Sequence, residues 1–95
     1  MHKNEVDLLI NRSKAFLDAV KERLKKKNFD LACFMAEQGA QLFLKAILLE
    51  SSGEFPRTHS IRELITMIEF LKNQEISMDR NALTFLESAY INSRY

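Results

Sequence analysis

At 95 residues the chain is long enough for one domain and leaves little stability to spare, so burial of surface against a second subunit would help it. Its 46% apolar and 28% charged residues, with two Gly and one Pro, suit a helix-rich, loop-poor fold and exclude low-complexity or disordered classes. The net charge of +1 is unevenly spread. Residues 1–27 carry eight Lys/Arg against four Asp/Glu, and the remainder six against nine. A single cysteine, Cys33, excludes an internal disulfide or a cysteine zinc cluster and reads as a small buried hydrophobe. Charges at Lys3, Glu5, Asp7 and Arg12 leave no apolar core for a signal peptide, and the uninterrupted apolar runs are too short to cross a bilayer. A cytoplasmic protein with no membrane partner is the expectation.

Val6, Leu9, Ile10, Ser13, Phe16, Leu17, Val20 and Leu24 recur at three- and four-residue steps and predict a first helix from about Asn4 to Lys27. It ends in KERLKKK, residues 21–27. Those cations suit the negative end of the helix dipole and equally form a footprint for phosphate or nucleic acid. Asn28 interrupts the pattern, and Asp30 can cap a second helix reaching Glu50 or Ser51. Ser51, Ser52 and Gly53 stop it, with Gly53 suited to a left-handed position.

The second helix, FDLACFMAEQGAQLFLKA over residues 29–46, is apolar on nearly every side except for a ribbon through Glu37, Gln41 and Lys45, with Gln38 beside it. A helix of that kind must be covered by other helices or by a second copy. The four-residue spacing stacks the ribbon along one edge and admits two readings, a solvated stripe with weak side-chain pairing or the polar floor of a groove.

Pro56 stiffens the connection GEFPRTHS. Thr58 or Ser60 can cap the third helix, about Ser60 to Lys72. Ser60 and Glu63 match a capping box, and Ile61, Leu64, Ile65, Ile68 and Leu71 form the apolar face. His59 and Arg57 stand just before that helix start, where free N–H groups favour an anion; a phosphate site and simple capping both fit. Asp79 can cap a last helix with Leu83, Leu86 and Tyr90 on its buried side. It ends in Ser93, Arg94 and Tyr95, where Arg94 is either a bidentate phosphate clamp or a surface cation. The elements predict an all-α, antiparallel four-helix up-and-down bundle of one domain over residues 1–95. Gly39 and Gly53 form no phosphate loop, and His2 and His59 share no metal-ligand spacing. No cofactor, metal or catalytic constellation is implied.

Phe29, Ala32, Phe34, the run A-E-Q-x-A-x-x-x-x-K-A from Ala36 to Ala46, the loop P-x-T-H-S from Pro56 to Ser60, Leu64, Tyr90 and the closing S-R-Y together resemble the HEPN domain family over about Phe29 to Tyr95. Gly39 departs from the pattern, since alanine is usual there, and can admit closer helix packing. The resemblance implies a helical bundle that dimerises, associates with nucleotide or RNA, and is paired with a minimal nucleotidyltransferase as toxin and antitoxin. On that basis Arg94, His59, Lys45 and Arg57 become the expected phosphate-binding residues, and Glu37, Gln38, Gln41, Tyr90 and Tyr95 the expected groove or dimer interface. Cleaving members of the wider group are metal-independent ribonucleases with an arginine followed within two turns by a histidine. These supply a cation for the charged transition state and a base for the 2′-hydroxyl. No complete copy of that pair stands in residues 1–95; Arg94 occupies what looks like the arginine position, and a histidine following it would lie beyond Tyr95. Binding is therefore expected before endoribonuclease activity, with a purely structural dimer as the third possibility.

Overall fold

The computed structural model describes residues 3–72, which form three helices: α1 over Lys3–Lys25, α2 over Phe29–Ser52 and α3 over Ile61–Lys72. The predicted last helix, with Tyr90, Arg94 and Tyr95, lies outside the described residues. Within them the fold is all-helical, with α2 in the middle and α1 and α3 each packed on it.

Two faces of α2 explain this order. Ala46 and Leu49, with Leu42, pack against Val6, Leu9 and Ile10 of α1. Farther along, Ser13 Oγ donates to the Gly39 carbonyl at 2.9 Å. Early residues of α1 thus meet late residues of α2, so the two run antiparallel. A Cβ on Gly39 would stand 3.3 Å from Phe16 Cβ and 3.4 Å from the Ser13 carbonyl oxygen, so glycine allows the close approach that its place in the sequence suggested.

The other face carries Ala40, Leu44, Ile47 and Leu48. Ile61 and Ile65 pack by Ala40 and Leu44, whereas Leu64 and Ile68 pack by Leu44, Ile47 and Leu48. The contacts advance in the same sense along both helices, a feature that the expected up-and-down alternation does not include. Its cause is the segment 53–60, which leaves the end of α2 and runs back beside it, Phe55 meeting Lys45 and His59 meeting Lys45 and Gln41, before α3 starts.

The helix ends follow local chemistry. Gly53 at φ 76° closes α2, its N–H donating to the Leu49 carbonyl at 2.9 Å, as expected of a left-handed glycine. At the start of α2 the cap position is Asn28 and not Asp30. Asn28 makes no side-chain capping bond, and Asp30 lies in the first turn, where its charge suits the dipole. For α3, Ser60 Oγ accepts the Glu63 N–H at 3.2 Å, which is one half of the predicted capping box.

α1 ends at Lys25, earlier than periodicity implied. Lys27 N donates to the Leu24 carbonyl at 3.0 Å and Asn28 N to the Arg23 carbonyl at 2.9 Å, the paired bonds of a Schellman turn. Lys27 therefore occupies the left-handed position, at φ 58°, where a side chain costs about 1–2 kcal/mol relative to glycine. Three residues assigned to apolar faces are about half exposed: Leu17 and Leu24 in α1 and Leu71 in α3. Periodicity names a face but not the length over which a neighbour covers it.

Candidate functional site

The ribbon on α2 lies in the seam between the α1-facing and α3-facing sides, because a four-residue step advances only slightly around the helix. It is sealed there. Glu37 is 1% exposed, Gln41 3% and Lys45 5%, which overturns the solvated-stripe reading.

Buried polar groups demand partners, and the row supplies them internally. Gln41 Nε2 donates to Glu37 Oε1, and Gln38 Nε2 donates to Glu37 Oε2 at 3.0 Å. Gln41 consequently turns its Oε1 toward the returning loop, where it lies 3.3 Å from His59 Nδ1. Lys45 Nζ approaches the same nitrogen at 3.4 Å and sits 5.4 Å from the centre of the Phe55 ring. The loop segment 55–59 thus meets the end of the row at both of these residues.

A lysine in such a place loses water. Burial pushes the Lys45 ammonium below its ordinary value of 10.5, and the negative charge of Glu37, two turns away, partly offsets that fall. His59 Nδ1 has one lone pair or one proton, so it either accepts from Lys45 or donates to Gln41, one at a time. The junction therefore has two hydrogen-bonding arrangements that differ by a proton position.

Capping of α3 falls to the neighbours of His59. Thr58 Oγ1 accepts the Ser60 N–H at 3.1 Å and Ser60 Oγ accepts from Glu63, so the helix start is served without His59. Its ring is directed at α2 while the residue as a whole remains exposed. Arg57 is exposed two positions earlier. Of the predicted binding residues, Lys45 and His59 are brought together, Arg57 lies close by in the chain, and Arg94 lies outside the described residues. Glu37, Gln38 and Gln41 form the buried row; Tyr90 and Tyr95 also lie outside the described residues.

A family model of the HEPN domain matches residues 6–95. The chain belongs to the HEPN domain family. The match covers α1 as well as the stretch from Phe29 onward in which the resemblance was legible. No curated protein and no solved structure matches the chain.

Two features of this HEPN domain were not anticipated. Phe55 covers Lys45 on one side, and on the other helps to line an open groove of about 480 Å³ with Leu48, Pro56, Met67 and Phe70. Its only sequence signal was the run of apolar residues on α3 beyond the packed face; Phe70 is 85% exposed. Second, α2 is 24 residues long and by length and composition alone could cross a membrane, contrary to the expectation drawn from uninterrupted runs. Its sealed polar row and its place between α1 and α3 are those of a core helix. Among the described residues no group of three His, Cys, Asp or Glu is placed to hold a metal ion.

Proposed function

We propose that this HEPN domain is a dimeric binding module that holds a phosphate of a nucleotide or RNA at the loop before α3, and docks a minimal nucleotidyltransferase as the other member of a toxin–antitoxin pair. The observation that carries the phosphate reading is the junction of His59 with Lys45 and Gln41. The Lys45 ammonium and the His59 imidazole meet at the end of a buried row whose acid, Glu37, accepts from two amides. The exposed guanidinium of Arg57 stands two residues away, and Arg94 is the candidate second clamp. Binding is the function proposed because the described residues offer a cation, Arg57, to a phosphate beside an exposed imidazole; cleavage is the alternative, with Arg94 at what looks like the arginine position of the cleaving members' pair.

The buried row itself favours a structural role. Glu37, Gln41 and Lys45 are all enclosed, so their part is to hold the loop, with Lys45 moved from the expected phosphate contacts to the row, and the exposed His59 and Arg57 make contact. Calorimetric titration with ATP and a short RNA is the test. His59→Ala and Arg94→Ala should each weaken binding by about 10-fold or more, the loss of one charge-assisted bond, while sedimentation of the wild type should show a dimer. A wild type inert toward both ligands would overturn the phosphate reading, and a monomer would overturn the dimer.

A further inference from the structure

The loop site leaves unused the most concentrated charge in the chain. Between residues 21 and 27 stand Lys21, Arg23, Lys25, Lys26 and Lys27 against one acid, Glu22. All four lysines are exposed; Arg23 is half-buried, its Nε shielded from solvent. The ion pair within the group, Lys25 Nζ to Glu22 Oε1 at 3.7 Å, joins side chains 76% and 65% exposed and neutralises little. Asp30, the next acid along, is drawn to the positive end of α2.

Helix capping does not account for this density. The dipole acts over the last turn of α1, where Arg23 and Lys25 lie, whereas Lys21 precedes that turn and Lys26 and Lys27 follow it. Lys27 also occupies the left-handed position of the Schellman turn, a place that glycine or asparagine would fill with less strain. A cation kept at a position that disfavours it points to a use for its charge. Immediately beyond the lysines stands Phe29, 59% exposed.

We propose that the α1–α2 corner binds single-stranded nucleic acid, with Lys21, Lys25, Lys26 and Lys27 on successive phosphates and the Phe29 ring stacked on a base. The two halves of such a ligand, a charged backbone and flat faces beside it, match the two halves of the surface. An anionic membrane fits less well. A helix lying in a bilayer surface needs a long apolar face, and the first half of that of α1 is occupied by α2 through Val6 and Leu9, which leaves only the half-exposed Leu17 and Leu24 on the stretch leading to the corner. The corner lies about 20–25 Å from the His59 junction along α2, counted at 1.5 Å per residue, so the two surfaces stand or fall separately.

The test is fluorescence anisotropy of the full chain with an end-labelled, unpaired RNA of mixed sequence. The comparison is with the variant Lys25→Gln/Lys26→Gln/Lys27→Gly, whose glycine relieves strain and so protects the fold. Removing three phosphate contacts lowers the salt slope by about 2, so raising salt from about 50 to about 200 mM should weaken the wild type about 20-fold more than the variant. Phe29→Ala should weaken binding at least about fivefold. His59→Ala should leave the lysine-dependent salt effect intact, whatever it does to mononucleotide binding. A variant with unchanged affinity and slope, or a wild type that binds no RNA, overturns the proposal. Lysine-dependent binding to phosphatidylserine vesicles without binding to RNA overturns it in favour of a membrane.

Discussion

Glu37→Gln is the sharpest test of how the polar row is held together. The carboxylate is 1% exposed and accepts from Gln41 on one oxygen and from Gln38 on the other. An amide of the same shape offers one acceptor and one donor, so one of the two glutamine N–H groups would face another donor. Loss of a bond to a charged acceptor removes about 1.5–3 kcal/mol, and a buried unpaired donor adds about 1–3 kcal/mol. Lys45 would also lose the charge that offsets its desolvation. A total of about 3–5 kcal/mol follows, as for other buried charges deprived of a counter-charge. For a domain whose whole stability is about 5–15 kcal/mol that is a large share. Urea unfolding followed by far-ultraviolet circular dichroism should show the midpoint falling by about 2–3 M. Gln38→Ala, which removes the partly exposed donor and leaves Gln41 on the acid, should cost about 1 kcal/mol or less. A Glu37→Gln variant as stable as the wild type, or no less stable than Gln38→Ala, would refute the reasoning.

The pH dependence has a definite sign. The folded-state value of Lys45 lies below its ordinary 10.5, so between the two the unfolded chain binds more protons, and the Lys45 contribution to stability rises with pH through that window; Lys45→Met should remove this rise in urea titrations at successive pH values. Lys27→Gly should stabilise by about 1 kcal/mol, seen as a melting temperature higher by about 4–8 °C, because the left-handed turn no longer strains a side chain. Gly39→Leu should destabilise by about 3 kcal/mol or more, since its side chain must displace Phe16 and part the helices at the Ser13 bond, whereas Gly39→Ala should change little because helix propensity offsets a contact of 3.3 Å. Leu64→Ala should cost about 2–5 kcal/mol in the same urea assay, as expected for a side chain at 0% exposure.

The helices themselves were legible because their packing obeys a period the sequence displays. Ile61, Leu64, Ile65 and Ile68 are all buried, as their spacing says. What spacing does not carry is the path of the chain between helices. Leu71 continues the same stripe yet is about half exposed, and Lys27 gives no hint of a left-handed turn, because lysine is not the residue that such turns select. The family resemblance was legible for a different reason: its residues cluster where loop and α2 meet, so Ala36 to Ala46 and Pro56 to Ser60 had to be read together. The same separation kept the ribbon's fate hidden. Its spacing fixed that Glu37, Gln41 and Lys45 share an edge, but only the return of segment 53–60 along α2 decides whether that edge meets water.

That return also brings an exposed loop up to a buried row. Within the loop, Pro56 and the Thr58–Ser60 bond set the backbone on either side of His59, and Gln41 meets the ring itself. Gln41 is unavailable to rotate, because its amide nitrogen is committed to Glu37 and its oxygen is thereby aimed at the imidazole. Lys45 is restrained by burial and by the face of Phe55. The acid, one turn from Gln41, thus orients the imidazole through an amide. If the row acts in this way, Glu37→Gln should weaken phosphate binding as well as stability, whereas the core variant Leu64→Ala, measured where both proteins remain folded, should weaken stability alone. Equal loss of phosphate binding in the two variants would show that His59 is positioned by the fold at large and not by the row.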